Sequence, residues 1–413
     1  SWGKTGSMDG ISNWAAMSLV TSGGNSYNGS SGFKIGADAA DLIWEKANQV
    51  NVGINAELFN GRLALSVDGY YQKTSGLLYN ISTLATTGYT TRTANIGSLE
   101  NKGLEVMVSG KIFDGPFKWE LATNLSYTKN KLLSLDGVLD MKINGGGANT
   151  GKVMHALMVG KPVSAFYMLR QDGIYQTDQE VPSKLYAKGV RAGDCKYFDY
   201  NNDGDITDDD RMYVGKVTPD IYGGITSTMN WKNFDLSIFC QFAAGGKILS
   251  AWKGCGGTEG TEHLGLASSS IKGYKNGTLV DSEQFYNISK YAANHYWRGE
   301  GTSNTVPRPT LAGTFTGGFG NNLVSTRYLE DASYFKFKTI TLGYSLPHSL
   351  LSKIHVTGAR IFVSLDNFFT LTKYSGYDPE FSYESNPTGN SYGADFGEQA
   401  TLKSFIIGAS INF

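Results

Sequence analysis

Charge is scarce in this chain. Only 18% of its 413 residues are Asp, Glu, Lys or Arg, where about 25% is usual. The 36 basic and 37 acidic residues leave a net charge of -1, so there is no electrostatic case for nucleic-acid binding. No run of about 18 consecutive apolar residues occurs, so no helix is expected to span a membrane. That absence does not exclude a β-barrel, whose strands alternate and keep the average hydropathy low. The mean hydropathy of -0.25 is compatible with one. Only three cysteines are present, Cys195, Cys240 and Cys255, and they lack the spacing of a zinc site or a redox pair. A single disulfide would join Cys240 to Cys255; reduced packing residues are an equal reading. The five histidines form no His-Glu-x-x-His, and no Gly-x-Ser-x-Gly lies between a strand and a helix. No catalytic residue is assigned, and the chain is read as a protein that is not an enzyme. It opens at Ser1 without Met or a signal peptide, inside what reads as a strand, so a fragment is expected.

What is abundant is glycine, 52 residues or about 13% against a usual 7% or so, together with 24 Tyr and 21 Phe. Few charges and many aromatics argue against a disordered chain. Apolar residues recur with period two. Val50, Val52, Ile54, Ala56 and Leu58 share one face, and Asn51, Gly53, Asn55 and Glu57 the other. Past the Asn60-Gly61 turn, Leu63, Leu65, Val67, Gly69 and Tyr71 alternate with Arg62, Ala64, Ser66, Asp68 and Tyr70. An Asn-Gly pair between two alternating runs is a strong hairpin signal. Further hairpins are expected at Asp114-Gly115, at Trp231-Lys232-Asn233 and around Pro347, and a last strand over Leu402–Phe413.

The strands are about ten residues or longer, as a tilted membrane-spanning strand requires. The connections are unequal: 59–62, 112–116, 231–233 and 347–355 are short, whereas 78–91, 134–218, 247–330 and 372–400 are long. Short turns on one side and long loops on the other are the pattern of outer-membrane barrels. Nine full strands and a remnant at Ser1–Thr5 are expected. Val163–Tyr175 and Trp14–Thr21, though strand-like, should lie in extracellular loops. The inward set would include Asn51, Glu57, Arg62, Asp68, Glu105, Glu120, Asn124, Asp235 and Gln241. Phe405, Ile407, Ala409, Ile411 and Phe413 alternate to the end of the chain, a lipid-facing last strand closed by an interfacial aromatic. Nine strands with two open ends cannot close alone, and open edges do not survive in lipid.

Five phrases, in order along nearly the whole chain, carry a resemblance. They are LIWEKANQVNVGINAELFNGRLALSVDGYYQKTSGLL (Leu42–Leu78), NIGSLENKGLEV (Asn95–Val106), YFDYNNDGDITDDDR (Tyr197–Arg211), YLEDASYFKFKTITLGYSLP (Tyr328–Pro347) and LDNFFTLTKYSGYDPE (Leu365–Glu380). Together the chain resembles the C-terminal barrel region of the SusC/RagA family of TonB-linked outer-membrane transporters of Bacteroidetes. The resemblance implies an all-β fold: an antiparallel transmembrane β-barrel, here the C-terminal part of a 22-stranded plugged barrel, with long extracellular loops and short periplasmic turns. Residues 1–413 would form part of that one barrel domain, without the plug and earlier strands, and 134–218 and 247–330 would be large extracellular loops. It implies TonB-dependent import of a large nutrient, a glycan first and a peptide second, with a SusD-like surface lipoprotein as partner. The other readings are a plugless structural or adhesive barrel and a secreted calcium-binding β-protein.

Two candidate sites follow. Asp199, Asn201, Asp203, Asp205 and Asp210 fit an EF-hand-type calcium loop, with oxygen ligands at positions 1, 3 and 5 and Gly204 at the sharp turn. Asp replaces Glu at the last position. Seven acidic residues between Asp194 and Asp210 make the unfilled loop electrostatically unfavourable, and a structural calcium ion is expected; the alternative is a solvated acidic turn. In the loop 247–330, Trp252, Tyr286, Tyr291 and Trp297 are candidates for contact with substrate or partner, since aromatics stack on sugar rings. Equally they would serve as the loop's own small core. Tyr377-Asp378-Pro379-Glu380 reads as turn chemistry.

Overall fold

Among the described residues ten strands form the wall: β1 (Trp2–Ser7), β2 (Glu45–Leu58), β3 (Leu63–Ser82), β4 (Thr91–Asp114), β5 (Phe117–Ser134), β6 (Ile221–Trp231), β7 (Phe234–Ala244), β8 (Tyr334–Ser345), β9 (Gly358–Thr372) and β10 (Ser404–Asn412). The structure is a computed structural model. It describes all residues except 9–16, 18–19, 28–29, 36–40, 83–90, 136–140, 145–152, 255–265, 276–277, 286–288, 309–319, 352–355, 381–390, 398, 400 and 413. Among the described residues no helix is long and apolar enough to cross a membrane, which says nothing against crossing by strands.

The chain forms two units that divide within β4 and β5. The first holds β1, β2, β3 and most of β4 and β5, neighbours in that order. Antiparallel pairing runs from Leu58↔Leu63 to Lys46↔Ser75 between β2 and β3, and β1 pairs with the upper half of β2. Val52 lies opposite Gly69, Ile54 opposite Val67 and Ala56 opposite Leu65. These are the apolar faces that alternation alone brings together. The turn is wider than Asn60-Gly61: Phe59, Asn60 and Gly61 all adopt left-handed φ, and Arg62 N–H donates to Phe59 O at 3.3 Å. On the inner face Asp68 lies over Gly53 and Tyr70 over Gly103, filling the space that the missing side chains leave. The Asn95-Ile-Gly97 phrase has a structural cause. Asn95 donates through Nδ2 to Ile43 O (2.7 Å) and Gly76 O (2.8 Å), and accepts from Ile43 N–H at 2.8 Å. Gly97 has φ +71°, and a Cβ there would collide with Ser134 O.

The second unit holds the remainder of β4 and β5 and then β6, β7, β8, β9 and β10, each beside the next. Trp231 pairs with Phe234, so the β6–β7 turn is Lys232-Asn233 alone, with Lys232 left-handed at φ 53°. On β10, Phe405 faces Leu365, Ile407 faces Val363 and Ile411 faces Ala359, so the expected apolar face of the last strand pairs with that of β9. Phe413 lies outside the described residues.

Aromatics gather at two heights on the outer face of this unit. Near the short turns, Phe113 approaches Phe117 and Trp119 at 5.9 Å each, and Phe234 meets Tyr344 at 4.7 Å. Near the long connections, Phe242, Phe335, Phe337 and Phe369 form a chain of ring contacts at 5.5–6.5 Å. From Phe234 to Phe242 is about 27 Å along the strand at roughly 3.4 Å per residue. Tilted by about 40°, that is about 20 Å of height, close to the roughly 25 Å apolar band between aromatic girdles.

Two expectations need correction. β7 stops short of 247, where the long connection was expected to begin. It ends at Ala244, because Gly245 turns left-handed at φ 91° and the chain peels away. Lys247–Ser250 instead pairs with Leu329–Asp331 and, in parallel, with Ala394–Asp395. Strict alternation also fails in β8. Phe335 and Phe337 face outward, but so do Ile340, Leu342 and Tyr344, which pair with Leu365, Val363 and Ile361. A β-bulge at Lys338 supplies the extra residue, opposite Asn367-Phe368 on β9, where Asn367 has φ 55°. Bulges re-aim side chains in this way.

The long connections of the second unit fold upon one another. One core joins Met154, Phe166 and Met168 from the β5–β6 connection to Leu249, Val324 and Tyr328 from β7–β8 and Ala394 from β9–β10. A second core gathers Leu169, Tyr175, Leu185, Val190, Cys195 and Tyr197. The strand-like Val163–Tyr175 segment contributes Ala165–Met168 and Gln171–Ile174 to small sheets apart from the wall. Most of 14–19 lies outside the described residues; among the described residues Val20–Tyr27 pairs with Ser30–Ile35 alone. Cys195 and Cys240 are buried free thiols, and Cys255 lies outside the described residues.

Candidate functional site

The bulge in β8 turns Tyr334, Lys336 and Lys338 all to the inner face. Lys336 is 2% exposed, and a buried ammonium needs partners. It donates to Asp378 Oδ2 at 2.8 Å and Glu380 Oε2 at 2.6 Å. Lys338 donates to the same Glu380 oxygen at 2.8 Å, and Tyr334 Oη donates to Glu380 Oε1 at 3.0 Å. Thr401 Oγ1 donates to Asp378 as well. Burial by itself raises both carboxyls, but hydrogen bonds from Lys336, joined by Thr401 at Asp378 and by Lys338 at Glu380, outweigh it and hold both groups below the ordinary range. Two of the sequence phrases therefore bind each other: the Lys-Phe-Lys of β8 holds the Asp-Pro-Glu of the last connection. Tyr377, immediately before, is 79% exposed.

A second anchor is Glu330. Its Oε1 accepts from Ser250 Oγ (2.5 Å), Lys253 Nζ (2.9 Å) and Ser375 Oγ (2.8 Å), and its Oε2 from Ser375 N–H. Burial opposes its ionised form, but these donors prevail and its carboxyl is lowered. A third anchor is Asp194, fully buried, which accepts from both Arg308 Nε (2.8 Å) and Nη2 (3.0 Å) and from Asn321 Nδ2 (3.1 Å). His155 is buried and stacked on Phe166, with Nε2 2.9 Å from Tyr392 O and Nδ1 3.2 Å from Ala165 O. Connections distant in sequence are thus tied together by charged and polar side chains as well as by apolar cores.

The acidic segment is one compact loop. Asp203 N–H is shared by Asp199 Oδ1 (3.2 Å) and Asn201 Oδ1 (2.9 Å), so these two oxygens converge. Asp199 Oδ2 accepts from Gly204 N–H at 2.8 Å, with Gly204 at φ 77°. Asp210 is buried and accepts from Tyr200 N–H (2.9 Å) and Thr207 N–H (2.7 Å), closing the loop on itself. Asp205 departs from the expected set: Lys188 Nζ lies 2.6 Å from both of its oxygens, and that ammonium, as the leading influence, lowers its carboxyl. Among the described residues no group of three or more His, Cys, Asp or Glu side chains is gathered tightly enough to hold a metal ion as it stands. The donor types suit a hard cation, and Lys188 supplies a positive charge at one of the positions.

The aromatic candidates do not form one site. Trp252 donates to Tyr374 Oη at 3.3 Å, and Trp297 packs against Gly193 and donates to Gln176 Oε1 at 3.2 Å. Both are half-buried packing residues. Tyr291 is exposed and stacked on His295 at 4.3 Å. Tyr286 lies outside the described residues. Of the inward polar set, Asp235 is held by Arg360, Gln241 by Tyr334 and Asp68 by Ser66. Lys336, Lys338, Asp378 and Glu380 were missed as a cluster. Their signal was two lysines spaced by two in an otherwise uncharged strand.

Residues 9–238 match the family model described as TonB dependent receptor-like, beta-barrel. The TonB-dependent receptor P3 of Formosa agariphila is 30% identical over 90% of this chain and 34% of its own length. The TonB-dependent receptor SusC of Bacteroides thetaiotaomicron is 26% identical over 90% of the chain and 32% of its own length. The chain therefore spans about a third of these two relatives. A solved structure of the RagAB peptide transporter superposes with TM-score 0.73 at 23% identity, covering 100% of this chain and 40% of that one. At that identity the likeness concerns the fold.

Proposed function

This chain belongs to the TonB-dependent receptor-like β-barrel family of the bacterial outer membrane, and from that premise we propose that it serves, as part of a longer protein, in TonB-dependent import of a large nutrient. The observation that carries the reading is the two-sidedness of β8. Its outer face, Phe335, Phe337, Ile340, Leu342 and Tyr344, is suited to lipid, and its inner face carries a hydrogen-bonded polar network suited to a solvated channel. A wall of this kind separates lipid from a polar passage. The imported molecule is an oligosaccharide, with a peptide as the alternative, and a SusD-like surface lipoprotein is the partner above the interlocked connections. The protein's role is transport rather than catalysis. SusC among the relatives and the RagAB peptide transporter among the solved structures support this class of function.

The test is uptake by whole cells. Deleting the gene for the full-length protein is expected to abolish accumulation of fluorescent oligosaccharides or peptides, and a protonophore is expected to do the same in the parent strain. Native purification is expected to recover a lipoprotein in equal amount. Unchanged uptake with no lipoprotein would favour a structural or adhesive barrel instead.

We also propose that the Asp199–Asp210 loop binds calcium, held by Asp199, Asn201, Asp203 and Asp210, with Asp205 exchanging Lys188 for the ion. The ion would stiffen the connection through its charge. The convergence of Asp199 and Asn201 on one N–H supports this reading.

A further inference from the structure

A cavity of about 250 Å³ opens beside the inner face of β8 in the second unit. Val217, Pro219 and Ile248 form its apolar side; Lys247, Tyr334, Glu380 and Tyr392 bring polar groups to it. It is slightly smaller than the roughly 300–1,000 Å³ of drug-sized sites, so it has room for one residue of a chain-like ligand.

The polar groups of the cavity are unequal. Tyr334 and Glu380 are already spent on each other and on Gln241, Lys336 and Lys338. Lys247 and Tyr392 are different. Both are half-buried, and among the described residues neither the Lys247 ammonium nor the Tyr392 hydroxyl has a hydrogen bond or ion pair. Asp331 stands opposite Lys247 in the strand ladder and feels its charge at a distance, but its Oδ1 is taken by Ser333 N–H (2.8 Å) and Oγ (2.5 Å), and the Lys247 ammonium makes no hydrogen bond or close ion pair with it. The position of Lys247 is built rather than incidental. Its stem lies across Gly215, which has φ 140°, and a side chain there would displace it. The peeling of Lys247–Ser250 away from β7 at Gly245 is what brings Lys247 to this place.

A half-buried ammonium and a phenol, both offering donors next to an apolar wall, are complementary to an anionic acceptor on a compact body. We infer that this cavity is a subsite for a carboxylate-bearing residue of the imported chain. Two sources share that chemistry, a uronic acid unit of a glycan and an acidic residue of a peptide. The inference rests on the import reading and deepens it, since a charge preference at one subsite narrows the substrate class.

The test uses the intact transporter, purified with its partner. Four probes are titrated calorimetrically: trigalacturonate and its methyl ester, and the capped tripeptides Ala-Glu-Ala and Ala-Gln-Ala. The charged member of one pair is expected to bind about tenfold tighter than its neutral twin, the factor of one charge-assisted hydrogen bond. Whichever pair discriminates identifies the source. Lys247→Met is expected to erase the preference by lowering the affinity for the charged member about tenfold, Lys247→Arg to keep it, and Tyr392→Phe to weaken it. Heat-modifiable mobility on gels verifies that each variant is folded, and Tyr392→Phe carries the test if Lys247→Met is not. A wild-type protein that binds both members of each pair equally, or binds none of the four, overturns the subsite. So does a preference that survives Lys247→Met. These outcomes are separate from the import reading, which stands or falls on whole-cell uptake.

Discussion

Arg360 on β9 binds Asp235 on β7 across a strand that lies between them. Arg360 Nε donates to Asp235 Oδ1 at 2.9 Å, and Nη2 reaches Oδ2. The intervening β8 permits this because the residue beneath the pair is Gly343, where a Cβ would collide with both side chains. Three strands are thereby held in register by one ion pair.

Gly343→Leu is expected to separate Arg360 from Asp235 and to cost about 1–2 kcal/mol, the range of a partly exposed charge-assisted pair. In an Arg360→Met background the same substitution is expected to cost less. Unfolding of the detergent-solubilised full-length protein in a double-mutant cycle measures the difference; equal costs in both backgrounds would mean that Gly343 serves some other purpose.

Leu65 lies on the outer face opposite Ala56, whereas Ser66 lies on the inner face, where its hydroxyl donates to Asp68 at 3.0 Å. Leu65→Arg puts a charge into lipid at about 2–4 kcal/mol near the midplane. Ser66→Arg meets Asp68 and is expected to be tolerated. The folded fraction in outer membranes, read by heat-modifiable mobility, should fall only for the first variant. Equal folding would reverse the assignment of faces.

The Asp378–Glu380 anchor is expected to depend on pH. Both carboxyls are lowered from the ordinary 3.8 and 4.5. A lowered carboxyl contributes stability that is fully present above its unfolded value and is lost as pH falls through its folded value. Hydrogen-exchange protection at Lys373–Glu380, corrected for the intrinsic exchange rate at each pH, should therefore hold down to a pH of about 5 and fall progressively below about 4. In Lys336→Met, with the ammonium gone, the segment should exchange faster already at neutral pH.

Calcium binding at the acidic loop is measurable with terbium, whose luminescence neighbouring Tyr200 would sensitise. Asp203→Ala is expected to abolish the signal. Lys188→Ala is expected to strengthen binding by about tenfold, because Asp205 is no longer held by an ammonium. No luminescence in the wild type and in Lys188→Ala would assign the loop to Lys188 and backbone N–H groups alone.

The wall was legible because its physics is local. A pleated strand between lipid and a polar interior must alternate, so Val52 and Ile54 announced their face and found Gly69 and Val67 across the ladder. Asn60-Gly61 announced its turn through residues that tolerate left-handed φ, whereas at the β6–β7 turn the left-handed residue is Lys232. The bulge at Lys338 was not legible, because an extra residue in one strand shows only against its partner. Trp252 and Trp297 were legible as aromatic but not as buried, since burial depends on Tyr374 and Gln176, more than a hundred residues away.

By itself, then, the sequence determined an alternating antiparallel β wall, its short turns, its last strand and its family. Each follows from neighbours a few residues apart. Tertiary structure decided which polar groups meet. Lys336 finds Asp378 across 42 residues and Asp194 finds Arg308 across 114, and Lys247 is carried to a cavity by a strand that leaves the wall. Such encounters have no period and no spacing rule. They arise where buried charges have only one another to replace the water they lose.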